Sequence, residues 1–490
     1  MKRDISIPSL KIYNSLSGEK ELFKPINPKK VGMYVCGPTL YDEVHLGNYR
    51  CFISFDIIFR YLRHLGYQVR YVRNITDVGH LEDDLDEGED KVLKKARSEK
   101  IEPMEIVERY RLSFHEALRE LNVLPPSIEP RASGHILEQI ELIERLLSKG
   151  LAYEVNGSVY FDLEKYANSF DYGILSRRNI KDLIFYTREL KGKEEKKKPQ
   201  DFALWKRAYP KHIMRWRSPW GEGFPGWHLE CSAMGEKYLG EQFDIHGGGI
   251  DLKFPHHECE IAQMKGVCGV LPSRYWVHSN MLSFKSNKMS KSKGNVLYPR
   301  AIFKGESLFL EKAFDPMVVR FFILQAHYRS QLDFSPETLI AAEKSYLKLV
   351  GVFESLEKIK PSMEKTSNFD INDWIEACYN SLDDDFNTPL LIAQLFKIPY
   401  FLSDVIQGKS FLNKKDKDLL KDMMVIFLFD VLGLKKIDHD KREPLEKTQE
   451  LIDFLLSLRE KAREEKNWEL SDQIRLKLSS LGIELKDKKI

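Results

Sequence analysis

A strand–helix–strand pattern near the start of the chain restricts the possible fold more than any other feature. Residues 31–35 predict a buried strand, which ends at Cys36, Gly37 and Pro38. Between residues 46 and 65 apolar side chains recur at helical spacing, and Gly66 ends the predicted helix. Residues 69–75 predict a second strand. A strand, a helix and a strand in this order predict two neighbouring parallel strands of an α/β sheet.

The signal for sheet strands returns far down the chain. Residues 242–245 and 275–281 predict strands, whereas residues 121–225 are richer in short strands and turns. Beyond about residue 300 the pattern is almost wholly helical. We therefore predict an α/β fold: a Rossmann-like parallel-sheet catalytic domain split by an insertion, followed by an all-α helical C-terminal domain. The predicted boundaries are 1–120 and 226–300 for the catalytic domain, 121–225 for the insertion, and 301–360 and 361–490 for two helical regions.

Composition limits the number of domains and the cellular environment. A chain of 490 residues is too long for one hydrophobic core, so about two to four domains are expected. Its 76 basic and 74 acidic side chains nearly cancel, which neither requires nor excludes a nucleic-acid partner. The first residues lack the apolar core of a signal peptide, no apolar run reaches the ~18 residues of a membrane span, and the cysteines are scattered. We expect a cytoplasmic protein without a membrane partner, and we also expect a monomer.

Two short motifs predict an ATP site. His45 and Asn48 flank Gly47 where the predicted helix begins, so free backbone N–H groups and the positive end of the helix dipole would face a phosphate. Much later, Lys288 and Lys291 lie in a short polar run that could bring mobile positive charge to the leaving phosphates. Taken singly, His45 could be a capping histidine and the lysines a solvated turn. The chain has no Walker A motif, which disfavours an ordinary P-loop nucleotidase.

A second set of residues predicts a metal site. Cys36 ends the first strand, Cys231 lies in a distant segment, and His256 and Glu260 are spaced to share one helical face. Two thiolates, an imidazole and a carboxylate are a plausible zinc set. The alternatives are a core cysteine and a solvated His–Glu pair. Four histidines within thirty residues nevertheless favour a polar, ligand-rich pocket: His228, His246, His256 and His257.

Neighbouring residues are left out of the predicted ligand set. His257 and Cys259 should project away from the face that carries His256 and Glu260. The remaining cysteines are interpreted as buried thiols: Cys51, Cys268 and Cys378.

The ATP motifs resemble a known pair of signatures. Residues 45–48 and 288–292 are similar to the two signatures of class I aminoacyl-tRNA synthetases, usually written HIGH and KMSKS. The fourth position of the first signature is Asn48 instead of histidine. Asparagine can still donate a hydrogen bond to a phosphate or ribose, but it cannot carry charge.

The wider pattern resembles the cysteinyl-tRNA synthetase family from about residue 9 to the C-terminus. The similar segments are 36–42, 201–205, 216–234, 244–249, 254–258 and 383–389. The resemblance implies one Zn²⁺ held by Cys36, Cys231, His256 and Glu260. It further implies that the pocket for cysteine and its adenylate is lined by Thr76, Trp227, His246 and Asp251.

The resemblance also implies substrates and partners. These are cysteine, ATP with Mg²⁺, and the cognate tRNA(Cys). The insertion 121–225 would position the acceptor end of the tRNA, residues 301–360 its stem, and residues 361–490 its anticodon side. A pocket that separates cysteine from serine by size would gain only about 1–3 kcal/mol. Zinc would prefer a thiolate to a hydroxyl, so a separate editing site would be unnecessary.

The segment after Asp77 departs from the family pattern. Where a short acidic pair and a lysine are common, residues 78–91 carry extra acidic side chains and His80. The segment is either a charged helix entry or a contact to substrate or lid. His80 is therefore not included among the predicted site residues.

Two other functions remain open from the sequence. A ligase that joins cysteine to an amino-sugar would use the same zinc and ATP chemistry, but the motif at residues 383–389 and the long helical C-terminus favour the tRNA enzyme. An RNA-binding paralogue with a decayed active site is disfavoured because the predicted ligands and both lysines are intact.

Overall fold

The computed structural model describes residues 9–81, 89–178, 195–209, 212–289, 294–362, 367, 369–436, 454–465 and 467–480. The chain divides into two compact units, Met1–Lys435 and Lys436–Ile490. The predicted domain boundaries within the first unit stay predictions.

The strands are β1 Lys11–Asn14, β2 Glu19–Leu22, β3 Lys30–Val35, β4 Gln68–Arg73, β5 Ala152–Val155, β6 Ser158–Phe161, β7 Phe202–Arg207, β8 Trp216–Ser218, β9 Gly221–Pro225, β10 Phe243–Gly249, β11 Ser273–Ser279, β12 Leu282–Phe284, β13 Asn287–Lys288 and β14 Leu332–Phe334.

The helices are α1 Leu46–His64, α2 Lys91–Glu99, α3 Pro103–Glu120, α4 Ile136–Ser148, α5 Leu163–Ala167, α6 Trp227–Leu239, α7 His256–Cys268, α8 Pro299–Lys304, α9 Pro316–Leu324, α10 Pro336–Val350, α11 Val352–Lys358, α12 Ile371–Asp383, α13 Thr388–Leu395, α14 Lys397–Ile406, α15 Lys414–Val425 and α16 Trp468–Ser480. Short 3₁₀ segments cover Ala132–His135 and Ile250–Lys253, and a π-helical segment covers Ile426–Val431.

A four-stranded parallel sheet forms the centre of the first unit. Its order is β11-β10-β3-β4, and every neighbouring pair is parallel. The strand–helix–strand prediction is confirmed, because β3, α1 and β4 follow one another and β3 pairs with β4. The predicted split is confirmed as well, since β10 and β11 come from the far side of the insertion and complete the same sheet.

The insertion forms a sheet of its own. Five antiparallel strands in the order β5-β6-β7-β9-β8 lie in sequence between β4 and β10. Its core is continuous with helices that flank the catalytic sheet, because Trp205 and Phe161 share a buried cluster with Leu229 and Ala262. The last strand, β9, leads through Gly226 directly into α6.

The region beyond residue 300 is mainly helical but contains one strand that was not predicted. β14 pairs with β12 in a parallel register, in a small sheet of order β13-β12-β14. The Ser283 hydroxyl also donates to the Asp333 carboxylate at 2.6 Å. A strand this short gives little periodicity, so its neighbour β12 and not its own sequence determines its conformation.

The acidic motif at residues 383–389 joins distant parts of the first unit. Asp385 is fully buried, and its carboxylate accepts hydrogen bonds from the Tyr13 backbone N–H at 2.9 Å, the Tyr328 hydroxyl at 2.7 Å and Arg329 Nε at 2.6 Å. The motif therefore fixes β1 and the loop before β14 to the end of α12. The turn and helix start predicted here are confirmed, since the Asn387 side chain caps α13 by accepting from the Leu390 N–H.

The prediction that three cysteines are buried thiols is confirmed for two of them. Cys51 and Cys378 are buried as predicted, but Cys268 is partly exposed, with Sγ 3.4 Å from Arg145 Nη2.

Among the described residues, the stretch Thr388–Ile406 is long and apolar enough to span a membrane, and 33% of its most apolar part is buried. Helices in the core of soluble proteins can have the same length and apolar composition, so this stretch is weak evidence for a membrane segment. In the second unit, residues 454–464 and α16 are helical.

Candidate active site and metal centre

The site is built where the central strands end. Cys36 directly follows β3, and its backbone N–H donates to the Gly247 carbonyl of β10 at 3.0 Å. In the same register His246 of β10 lies beside Tyr34 of β3. The carboxyl ends of adjacent parallel strands are where α/β folds place their ligands, so Cys36 and His246 occupy the expected edge of the sheet.

Two helices bring the other predicted donors to this edge. Cys231 lies on α6, and His256 and Glu260 lie one helical turn apart on α7. Donor atoms of the four predicted ligands all lie within 4.8 Å of one another, and all four residues are buried. The measured separations are 3.7 Å between Cys36 Sγ and Cys231 Sγ, 3.8 Å between Cys36 Sγ and Glu260 Oε1, and 3.3 Å between His256 Nε2 and Glu260 Oε1.

These separations fit a tetrahedral zinc ion. With Zn–S bonds of about 2.3 Å and Zn–N or Zn–O bonds of about 2.0 Å, tetrahedral angles require about 3.8 Å between two sulfurs and about 3.3 Å between nitrogen and oxygen. The observed S–S distance of 3.7 Å is far too long for a disulfide, which requires about 2.0 Å. Burial lowers the pKa of His256 well below its usual value, so the imidazole is neutral and its lone pair is available.

The prediction that His257 projects away from the site is wrong. Its Nε2 lies 3.3 Å from Cys36 Sγ, because Nδ1 on the other side of the ring is hydrogen-bonded to His278 Nε2 at 2.9 Å. A second compact group of possible donors therefore overlaps the first and consists of Cys36, His246, His257 and Glu260. Cys259 points elsewhere as predicted, with Sγ 3.6 Å from the Tyr172 hydroxyl.

His246, predicted to line the substrate pocket, borders the donor cluster directly. His246 Nε2 lies 2.8 Å from Glu260 Oε2, and its ring stacks on Trp276 with centroids 4.4 Å apart. Asp251 follows β10 and is the exposed residue of the 3₁₀ segment Ile250–Lys253. His246 is therefore in direct contact with a predicted metal ligand, Glu260.

Thr76 and Trp227 each contact one of the two helices that carry donors. The Thr76 hydroxyl donates a short hydrogen bond to Glu230, and the Trp227 ring lies 4.4 Å from the ring of His256. Glu230 was not identified from the sequence, although it directly precedes Cys231. It is 1% exposed, and burial raises the pKa of its carboxyl well above the usual value.

His80, left out of the predicted site, contacts one of its predicted residues, Trp227. Its ring stacks on Trp227 with centroids 3.9 Å apart and an interplanar angle of 8°. Its ring nitrogens meet Thr39 Oγ1 and Lys91 Nζ, each at 2.6 Å. The departure of residues 78–91 from the family pattern was the signal that could have identified it.

The two ATP motifs meet at the start of α1. His45 is the residue before α1, and the first turn of this fully described helix contains no acidic side chain. A Cβ on Gly47 would lie 3.0 Å from the His45 ring and 3.2 Å from Met289 Cε, so the segment containing Lys288 packs against the His45 motif. Asn48 is exposed. Lys288 lies in β13, and Lys291 lies outside the described residues.

Comparisons with known proteins agree with this architecture. The family model described as tRNA synthetases class I (C) catalytic domain matches residues 22–344. Curated proteins named cysteine–tRNA ligase match almost the whole chain. The protein of Bacteroides fragilis is 54% identical over 98% of this chain and 97% of its own length, and that of Chlorobaculum tepidum is 46% identical over 98% and 97%.

Solved structures share the fold at low sequence identity. A methionyl-tRNA synthetase of Mycobacterium tuberculosis in complex with methionyl-adenylate has a TM-score of 0.54 at 15% identity, covering 82% of this chain and 89% of that chain. LeuRS of Agrobacterium radiobacter K84, in a ternary complex with tRNA, has a TM-score of 0.58 at 12% identity, covering 84% and 85%.

The split parallel sheet, the buried donors at its carboxyl edge and the two motifs that meet at α1 define a class I aminoacyl-tRNA synthetase. Within that class, the similarity runs over nearly the full length, including the helical part that amino-sugar ligases would not require. The chain belongs to the cysteinyl-tRNA synthetase family, the cysteine–tRNA ligases of EC 6.1.1.16.

Proposed function

We propose that this enzyme activates cysteine with ATP as cysteinyl-adenylate and then transfers the cysteinyl group to the terminal ribose of tRNA(Cys). In the first step a cysteine carboxylate oxygen attacks the α-phosphorus and pyrophosphate leaves. In the second step a ribose hydroxyl attacks the activated carbonyl and AMP leaves. The family relationship supports the overall reaction, and the buried donor cluster is the observation that carries the choice of amino acid.

The proposed metal ligands are Cys36, Cys231, His256 and Glu260, which would hold one Zn²⁺. Their donor atoms are already gathered within 4.8 Å in a buried site, at separations that suit a tetrahedral ion. When bound, zinc would supply a coordination position that favours a thiolate over a hydroxyl. This preference would separate cysteine from serine beyond the about 1–3 kcal/mol that a size-selective pocket provides.

The cysteine pocket would be formed by Thr76, Trp227, His246 and Asp251. Trp227 supports this role because its ring packs on His256 and so forms a wall next to the donors. His246 supports it through its contact with Glu260, which fixes the orientation of that carboxylate. Thr76 is held by Glu230 in a buried hydrogen bond.

The proposed ATP site lies at the start of α1. His45, Gly47 and Asn48 would bind ATP, with Mg²⁺ as its counterion, through the side-chain donors of His45 and Asn48 and the close backbone approach that Gly47 allows at the helix end. The absence of acidic side chains in this turn leaves the positive end of the helix dipole uncompensated. Lys288 and Lys291 would stabilise the charge that develops on the departing pyrophosphate.

The tRNA would contact three regions of the chain. The insertion 121–225 would receive the acceptor end, residues 301–360 the stem and residues 361–490 the anticodon side. We further propose that the enzyme acts as a cytoplasmic monomer, and the free thiols of Cys36 and Cys231 favour such a reducing compartment.

Elemental analysis combined with ATP–pyrophosphate exchange tests the proposal. The purified protein should contain one zinc per chain, show exchange with cysteine but not with serine, and charge pure tRNA(Cys). Cysteine-dependent exchange in zinc-free protein would overturn the selection mechanism. Exchange without tRNA charging would overturn the proposed second step.

A further inference from the structure

The described residues of the segment that differs from the family pattern, 78–81 and 89–91, include two that contact the end of β9 and the start of α6: Gly79 and His80. Gly79 adopts a φ of +81°, and a Cβ at this position would lie 2.3 Å from the Pro225 carbonyl oxygen. Its N–H donates at 2.7 Å to Asp90, whose other carboxylate oxygen caps α2 by accepting from Val92 and Leu93. Asp90 is thus a structural residue of this segment. It holds the backbone on either side of His80, through the Gly79 N–H before it and a bridge to Leu81 after it.

Hydrogen bonds determine the orientation of the His80 ring. The Lys91 ammonium is only a donor, so His80 Nε2 accepts from it at 2.6 Å. Nδ1 must then carry the proton, and it donates to Thr39 Oγ1 at 2.6 Å. Thr39 belongs to the loop that follows Cys36. The imidazole therefore connects this loop to the start of α2, and its plane is fixed from both ends.

The fixed imidazole in turn supports Trp227. The indole packs against both His80, at a centroid distance of 3.9 Å and an interplanar angle of 8°, and His256, at 4.4 Å and 35°. Trp227 is the first residue of α6, so there is no preceding helical turn for its side chain to pack on. Of these two contacts, the His80 ring makes the closer and more nearly parallel one, so it supports the indole beside His256.

We propose that His80 is a positioning residue for cysteine binding, which acts by holding the Trp227 indole against the donor cluster. The inference rests on the proposed function, because it assigns Trp227 to the wall of the cysteine pocket. It assigns His80 no contact with the substrate and no proton transfer. From the sequence, a contact between this segment and the substrate was one of the open alternatives. In this proposal the segment acts on the substrate only indirectly, through Trp227.

Cysteine-dependent ATP–pyrophosphate exchange of His80→Ala tests the proposal. We expect the KM for cysteine to rise about tenfold, the effect of losing one stacked aromatic contact and its support, with the KM for ATP and the zinc content unchanged. His80→Phe keeps the stacked ring without the hydrogen bonds and should recover most of the affinity. Lys91→Met, which removes the donor to Nε2 and leaves the His80 ring in place, should raise the KM about threefold.

His64→Ala is the matched control. His64 also stacks on an aromatic ring, that of Tyr379, with centroids 5.7 Å apart and an interplanar angle of 17°, and it lies 2.9 Å from the Tyr379 hydroxyl. It is the last residue of α1, whereas the His45 motif is at the first turn of this helix. This variant should leave the KM for cysteine unchanged. A wild-type KM for cysteine in both His80→Ala and Lys91→Met would overturn the inference. Loss of zinc in His80→Ala would overturn it as well. If His80→Ala does not fold, a wild-type KM for cysteine in Lys91→Met is sufficient to overturn it. Absence of cysteine-dependent exchange in the wild type would instead overturn the proposed function itself.

Discussion

The sulfur atoms of Cys36 and Cys231 lie 3.7 Å apart, although 195 positions separate the two residues in the chain. Cys36 is placed by the end of β3, and Cys231 by a helix that follows the insertion. Without a cation such a buried pair remains protonated, because burial raises the pKa of the Cys231 thiol to about 12. A shared metal ion is the chemistry that suits two thiols at this distance.

Cys231→Ser should therefore abolish zinc binding and cysteine activation together. A hydroxyl is a poor zinc ligand, and we expect cysteine-dependent exchange to fall by more than about 100-fold while tRNA binding largely survives. Metal analysis, exchange and a tRNA-binding titration measure the three quantities. Cys268→Ser is the control, since this partly exposed thiol lies outside the cluster that contains Cys231. Zinc retained at one per chain in Cys231→Ser would contradict the ligand assignment.

Lys291→Ala should slow adenylate formation far more than it weakens cysteine binding. A cation that acts on the leaving phosphates contributes in the transition state, so kcat for exchange should fall by about 100-fold with little change in the KM for cysteine. Lys304→Ala, which removes an exposed lysine from the last turn of α8, should have no effect. Equal losses in kcat and in cysteine affinity would rule out a transition-state role for Lys291.

The parallel sheet and three of the clustered donor residues, Cys36, His256 and Glu260, could be predicted from sequence because their signals are local. The buried strand before Cys36 and the four-residue spacing of His256 and Glu260 each follow from periodicity in one short segment. Periodicity cannot show that segments far apart in the chain meet in space. The resemblance of the separated motifs to a known family indicated that the segments carrying Cys36, Cys231 and His256 come together.

The residues that sequence reasoning missed are oriented by distant partners. Helical phase placed His257 off the ligand face, but its hydrogen bond to His278 turns the ring toward Cys36. His80 is placed by stacking on Trp227, which lies in a different segment of the chain. Side-chain rotation and long-range contacts of this kind leave no periodic trace in a single sequence.

Asp385→Ala should destabilise the first unit, whereas Asp384→Ala should not. The buried Asp385 carboxylate pairs with partly exposed Arg329, and its loss should cost about 2–4 kcal/mol of unfolding free energy. Asp384 makes an exposed ion pair with Lys20, so its removal should change the free energy by less than about 1 kcal/mol. Urea unfolding followed by circular dichroism compares the two neighbours directly. Equal shifts in the two variants would mean that the buried contacts do not hold this motif together.

Gly47→Ala should weaken ATP binding while leaving the fold intact. The added methyl group would lie 3.0 Å from the His45 ring and 3.2 Å from Met289 Cε, so it would push apart the two motifs that form the proposed ATP site. Alanine is favoured over glycine within a helix by roughly 1 kcal/mol, so stability should not fall. We expect the KM for ATP in the exchange reaction to rise about tenfold with the KM for cysteine unchanged.

The glycine at position 134 provides the matched substitution for this test. A Cβ on Gly134 would meet no described atom within 4 Å, so Gly134→Ala should leave both KM values at those of the wild type. The comparison separates crowding at the start of α1 from a general effect of replacing glycine. If Gly47→Ala bound ATP normally, the close packing of Met289 on the His45 motif would have no part in nucleotide binding, and the positions of His45 and Lys288 would have to be set independently of each other.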